Sequence, residues 1–225
     1  MPRKARIVIP GQPHHVVQRG VRGMNVFQSD ADRLYYIQLC RDGAEKTGVH
    51  FLAWCLMSNH IHLLVVPEHQ ASLGTFFREV HGKYTRYFNK KSKAKGYLWE
   101  DRYYSVLVGG SHFANALRYI LYNPVQAGLV AKSTEYRWSS AKFNMGMAGK
   151  DYLVLERPTE ALLNKLHKLS YLGMQEDAQS IERALRNQWA YASDKEIKHF
   201  ERITDTILQP QQKQHQNYPA WSMGA

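Results

Sequence analysis

The sequence predicts an α+β fold carrying a helical C-terminal extension, and three observations predict it. Short runs rich in β-branched and aromatic residues stand at 14–19, 49–57, 60–66 and 105–108, the make-up of strands. Between them, apolar residues recur every three or four positions, the spacing of helices with one buried face. Beyond Gly149 only the helical spacing remains. A chain of 225 residues, 44% of them hydrophobic, can bury a sizeable core as one domain with an appendage or as two small domains.

Taken in order, Pro10, Gly11 and Pro13 keep the start irregular, and the first strand runs from His14 to Arg19 and ends at Gly20. Arg19, Gly20, Arg22 and Gly23 then form a basic loop whose glycines could bring backbone close to a phosphate chain; a plainly solvated loop is the other reading. Ser29-Asp30-Ala31-Asp32 is a capping signature. Tyr36, Ile37, Cys40 and Ala44 give the helix after it one apolar face, and Gly48 stops it. Val49 to Met57 is a second strand, followed almost at once by the strand that begins at His60 and closes at Pro67, so the pair is expected to be a hairpin turning near Ser58 and Asn59.

Ser72 opens a long helix with Leu73, Phe76, Phe77, Val80, Tyr84 and Tyr87 on its buried face. Its other faces and the segment after it hold Arg78, Lys83, Arg86, Lys90, Lys91, Lys93 and Lys95 against one acid, Glu79. Solvation alone would not select one sign, so this face is expected to meet phosphates. The stretch 96–104 mixes aromatic and basic groups, among them Trp99, Arg102 and Tyr103. Exposed rings there would stack on bases, buried ones would fill a core, and the residues leave both readings open. After the strand at 105–108, Ser111 is expected to cap a helix with the stripe Phe113, Ala116, Leu117 and Ile120, and Pro124 to end or bend it at Asn123.

The last third repeats helical stripes: Leu162, Leu163, Leu166 and Leu169; Ile181, Ala184, Leu185 and Trp189; Ile197, Phe200, Ile203 and Ile207. Ser193 to Glu196 is a capping box for the last. The Gln-rich end with Pro210 and Pro219 reads as disordered. The expected division is a catalytic domain at 1–149, a helical extension at 150–209 and a tail at 210–225.

Charge is uneven. Residues 1–150 hold 21 of the 30 Lys and Arg and 9 of the 19 Asp and Glu, a net +12, and the remainder nets −1. A polyanionic partner is expected for the basic part. Two cysteines, Cys40 and Cys55, make no disulfide framework and no Cys-x-x-Cys metal motif. Ile7-Val8-Ile9 is too short for a signal core or a membrane span. A cytoplasmic protein without membrane contact is expected.

Two constellations carry the chemistry. Side chains alternate along a strand, so His60 and His62 share one face while Ile61 and Leu63 bury into the other. In the helix before Pro124, Tyr119 and Asn123 lie one turn apart at the rim of the buried stripe. Packed across the sheet, that helix would bring Tyr119 Oη and Asn123 Oδ1 beside the imidazoles, a nucleophile and a third ligand together. Two imidazoles and an amide oxygen, with places left for water and phosphate, suit Mg²⁺ or Mn²⁺.

The order of elements resembles the HUH single-tyrosine transposases, and most of all the REP-associated tyrosine transposases. The residues that carry the resemblance are Gln18-Arg19-Gly20, Ser58-Asn59-His60-Ile61-His62-Leu63, Leu98-Trp99, Arg118-Tyr119-Ile120, the run Asn123 to Val130, and Trp138-Ser139-Ser140-Ala141, spanning about residues 13–145. It implies a ferredoxin-like, RRM-like antiparallel sheet with helices on one face. It implies that His60 and His62 bind the metal and that Tyr119 is the nucleophile. Asn123 stands where the wider superfamily places a longer Gln, and Gln126 replaces an Arg that follows Asn-Pro-Val in the family. The reaction implied is cleavage and rejoining of single-stranded or hairpin DNA at the ends of repeats, through a 5′-phosphotyrosine.

DNA-binding positions are expected at Arg19, Arg22, Arg78, Lys83, Arg86, Lys90, Arg102 and Arg118. A monomer and a homodimer are both compatible, with Tyr119 acting in cis or in trans. Two other readings compete: a noncatalytic nucleic-acid-binding module with the same sheet, and a metal hydrolase that activates water on His60 and His62.

Overall fold

A computed structural model describes residues 6–168 and 172–208. Strands β1 (His14–Arg19), β2 (Val49–Leu56), β3 (His60–Pro67) and β4 (Tyr104–Leu107) pair antiparallel in the order β2-β3-β1-β4. Helix α1 (Asp30–Thr47) joins β1 to β2 and α2 (Ser72–Lys91) joins β3 to β4. Two interleaved crossovers in this strand order are the expected ferredoxin-like arrangement.

Local sequence explains the framework. Ser29 Oγ accepts from the Asp32 backbone N–H, the Asp32 carboxylate accepts from the Ser29 N–H, and α1 ends on Gly48 at φ +63°, a left-handed conformation that glycine adopts without steric cost. Only residues 57–59 separate β2 from β3, so the hairpin turn falls where expected. A bulge between Phe51 and Ala53 resets the alternation of β2, sending Trp54 and Leu56 to one face and Ala53 and Cys55 to the other.

The first face packs Val16, Trp54, Leu56, Ile61, Leu63 and Val65 against α1 and α2, with Tyr36, Phe76, Tyr84 and Phe88 filling the interface. Trp99 and Tyr103 also belong here: Trp99 stacks on His81 with ring centres 4.3 Å apart, and Tyr103 lies 4.3 Å from Phe77. Both are core rings and neither is offered to a base.

The second face is covered as well, by α3 (Phe113–Gln126), α5 (Glu160–Lys168) and α6 (Leu172–Asn187). This corrects the expectation of helices on one face. Val17, Leu64 and Val106 are apolar and buried on that side, and a sheet that is apolar on both faces has to be covered on both.

Two further expectations change. Helix α3 continues through Pro124 to Gln126; Pro124 forfeits one backbone hydrogen bond, and the packing of α3 on the sheet outweighs that loss. Ser111 does not cap α3. It sits in a 3₁₀ turn, Gly110–His112, and its hydroxyl donates to Glu196 of α7 (Asp194–Thr204) at 2.5 Å.

Both sheet edges are covered. Leu56 N–H donates to Trp138 O and Trp54 N–H to Ser140 Oγ, which lays 138–140 along β2 just before α4 (Ala141–Asn144), while Tyr191 N–H donates to Leu107 O beyond β4. In the extension, Leu166, Ile181, Ala184 and Leu185 are buried against α3, and Ile197 and Phe200 against Leu107 and Ile9. Ile203 and Ile207 are exposed, so the last stripe is only half used. Leu169 and the tail at 210–225 lie outside the described residues. No described helix is long and apolar enough to cross a membrane.

Candidate active site on the second face of the sheet

The alternation of β3 sends His60 and His62 to the second face, the one covered by α3. The β1–β3 register sets Arg19 opposite His60 and Val17 opposite His62, and directly paired residues share a face. Burial, helped by the Arg19 charge, lowers the His60 pKa to about 4. Asn59 Oδ1 is 2.6 Å from His60 Nδ1. A carboxamide oxygen only accepts, so that nitrogen carries the hydrogen and His60 Nε2 is left bare.

The neighbouring loop is rigidly held. Gly20 N–H donates to Asn59 O at 2.8 Å, Val21 N–H to Leu98 O at 2.9 Å and Glu100 N–H to Arg19 O at 2.9 Å. A Cβ on Gly20 would run into Met24 O and the Val26 side chain. Close packing of its own loop therefore requires glycine at position 20. Arg22 is exposed and left-handed at φ +53°.

His62 is 4% exposed and sits at the centre of the site. Its Nδ1 lies 3.0 Å from His15 Nε2, the two rings being stacked 5.3 Å apart. Its ring is also hydrogen-bonded to the Asn123 amide. Burial, with His60 and His15 adding to it, holds its pKa well below the usual imidazole range. The Tyr119 ring stands edge-on to His62 with centres 5.7 Å apart, and equally far from His15. One turn along α3, Asn123 Nδ2 donates one of its hydrogens to Tyr119 O at 2.9 Å, and Oδ1 stays free to accept.

Helix α6 closes the site. The Tyr119 hydroxyl donates to the Glu182 carboxylate and also contacts the Asn123 amide. Burial, and then the negative charge of Glu182, push the phenol well above its ordinary value, while Arg186 opposes the shift. Arg186 Nη2 is 3.5 Å from Glu182 Oε2. Burial raises the Glu182 pKa in turn.

The structure thus brings together His60, His62, Tyr119, Asn123 and Arg19. Arg22 and the exposed Arg102 lie at the same end of the sheet, on segments that pair beside Gly20. Arg78, Lys83, Arg86 and Lys90 do not join them, because α2 packs on the opposite face. Arg118 is 3% exposed, so its guanidinium is not presented to an incoming phosphate. Three residues escaped the sequence reading, His15, Glu182 and Arg186, and Asn59 entered it as a turn and motif residue without its contact to His60. For His15 a signal existed, its shared parity with Val17 and Arg19 on β1; for Glu182 there was none.

Among the described residues, no three or more His, Cys, Asp or Glu side chains gather into a metal cage. What the site offers is two neutral imidazoles and one amide oxygen. Such a mixed, incomplete donor set fits Mg²⁺ or Mn²⁺, which keep water or substrate oxygens in their remaining positions.

Residues 11–123 match the family described as "Transposase IS200 like". A protein of Haemophilus influenzae named for the REP-associated tyrosine transposases is 34% identical over 121 residues, covering 47% of this chain and 68% of that protein. A solved structure of a REP-associated tyrosine transposase bound to a REP hairpin superposes with a TM-score of 0.55 at 16% identity, over 71% of this chain and 94% of that one, which shows a shared fold. With its motifs in family order on this sheet, the chain belongs to the IS200-like transposases and, within them, to the REP-associated tyrosine transposases.

Proposed function

We propose that this transposase cleaves and rejoins single-stranded or hairpin DNA through a 5′-phosphotyrosine formed on Tyr119, with Mg²⁺ or Mn²⁺ held by His60, His62 and Asn123. One observation carries the reading: the Tyr119 ring lies 5.7 Å from the His62 ring on one face of the sheet, so one phosphate can touch both groups. A bound divalent ion would polarise that phosphate and offset charge on its oxygens. Tyr119 Oη would attack phosphorus in line with the departing 3′-oxygen, leaving a phosphotyrosine and a free 3′-OH. The new ester conserves the energy of the broken one, so a 3′-OH can later reverse the step. Arg19, beside His60, would hold the phosphate, and Arg22 and Arg102 the flanking backbone. A single chain supplies both Tyr119 and His62, which favours action in cis by a monomer.

The test is incubation with labelled single-stranded hairpin DNA and Mn²⁺ followed by denaturing electrophoresis. The wild type should give a covalent adduct, and Tyr119→Phe should bind the DNA without one. A noncatalytic binding module is the second reading, favoured by the cover that α6 places over Tyr119, only 7% exposed. It predicts no adduct from either protein. Cleavage that survives Tyr119→Phe would point instead to a metal hydrolase.

A further inference from the structure

Strand β1 carries a histidine that the proposed chemistry leaves unused. His15 is fully buried in the middle of the sheet, and its Nδ1 has no hydrogen-bond partner. An apolar side chain of similar shape would avoid the cost of burying that nitrogen, so packing alone does not account for an imidazole here. The contact that does is on the other nitrogen, His15 Nε2 at 3.0 Å from His62 Nδ1. Edge-on contact with Tyr119 fixes the ring from the side.

We propose that His15 is a positioning residue for His62: by occupying Nδ1 it leaves Nε2 as the ring nitrogen of His62 available to a divalent cation shared with His60 and Asn123. This rests on the metal assignment of the proposed function and deepens it. Metal-binding imidazoles are held in orientation by a partner on their second nitrogen; His60 has Asn59 in that role at 2.6 Å, and His62 has His15.

The hydrogens can be followed. Asn123 Nδ2 donates one of its two hydrogens to Tyr119 O; with Oδ1 accepting from His62, the ring Nε2 carries the hydrogen while its bare Nδ1 accepts from His15 Nε2. The unpaired His15 Nδ1 is then an acceptor, the less costly atom to leave alone. Ligation by His62 Nε2 needs that nitrogen bare. In the metal-ready tautomer pair the hydrogen of His62 is on Nδ1 and that of His15 is on its own Nδ1, so each ring keeps one hydrogen and His15 Nε2 now accepts. A glutamine amide can serve both arrangements by turning; a phenyl ring serves neither.

The experiment titrates the full-length protein with Mn²⁺ alone, without DNA, and reads free Mn²⁺ by electron paramagnetic resonance for wild type, His15→Phe, His15→Gln and His62→Ala, with melting temperatures alongside. His15→Phe should weaken Mn²⁺ binding by about 10- to 100-fold without loss of melting temperature, and His15→Gln should recover most of the affinity. Should His15→Phe fail to fold, His15→Leu takes its place. A merely space-filling role predicts the reverse order, with phenylalanine as good as histidine, and that result would overturn the proposal, as would equal weakening in Phe and Gln. Mn²⁺ binding that survives His62→Ala would instead remove the metal assignment itself, a failure told apart because His62 and not His15 is then silent.

Discussion

The two faces of the sheet are built from the same four strands and differ in almost everything else. The α1–α2 face is dense with large rings, among them Tyr36, Trp54, Phe76, Tyr84 and Phe88, all 0–1% exposed. The α3 face is lined by Ala53, Cys55, Ala114, Ala116 and Ala141, with His15, His62 and Asn123 buried among them. Small side chains let a helix and a sheet approach closely, and the room they leave goes to imidazole and amide groups. Stability is concentrated on one side and polar chemistry on the other. Buried large aromatics contribute the greatest hydrophobic stabilisation per residue, whereas each desolvated imidazole reduces it.

Substitutions that cross the two roles would break this comparison. The largest effect is expected from His62→Leu, which should abolish the covalent DNA adduct while holding or raising the melting temperature, because an apolar group replaces a desolvated imidazole. Trp54→Ala should do the opposite, costing about 3–5 kcal/mol in urea unfolding and leaving adduct formation per folded molecule intact. If His62→Leu unfolds the protein, or Trp54→Ala silences it while still folded, the division of labour is wrong.

Acid should sharpen the comparison next. Burial lowers His14 and His60 to about 4, and His15 and His81 to about 3. Each folded value lies below that of the unfolded chain, near 6.5. The unfolded state therefore binds more protons in the interval, and the stability these groups contribute is complete above 6.5 and lost as pH falls towards 4. Each histidine that must charge costs up to about 1.4 kcal/mol per pH unit. His81, packed under Trp99 and hydrogen-bonded to the Tyr36 hydroxyl at 3.0 Å, belongs to the large-ring face, as does His14 opposite Val65. His81→Gln should flatten the pH dependence of urea unfolding between pH 7 and 5 by one histidine's worth, and no flattening would leave His14 as the one lowered histidine of that face able to contribute.

What could be read from the chain was whatever short-range pattern determines. The capping box at Ser29 and Asp32, the hairpin at 57–59, the parity of His60 and His62, and the one-turn spacing of Tyr119 and Asn123 all follow from periods of two or 3.6. What could not be read depends on pairing between distant segments. Arg19 faces His60, and His15 reaches His62, only because β1 and β3 adopt one particular register. The basic helix α2 covers the face opposite His62, and nothing in its own stripe says which face of the sheet it will cover. Glu182 meets Tyr119 through helix docking, with no local pattern to announce it. Pro124 shows the limit of a local rule: tertiary packing carried α3 past it.

The smallest expected effect concerns that docked helix. The Glu182 carboxylate accepts from the Tyr119 hydroxyl and its charge opposes phenolate, while Arg186 acts in the other direction. Glu182→Gln removes the like charge and should lower the phenol pKa, so at fixed pH the phenolate fraction and the single-turnover rate of adduct formation rise a few-fold. Arg186→Gln should lower that rate by a similar factor. The paired signs matter more than either size, because a change in helix docking would move both variants the same way. A drop in rate for Glu182→Gln with Arg186→Gln unaffected would instead identify Glu182 as the group that takes the phenol proton. The extension would then supply part of the chemistry on the α3 face rather than a cover over it.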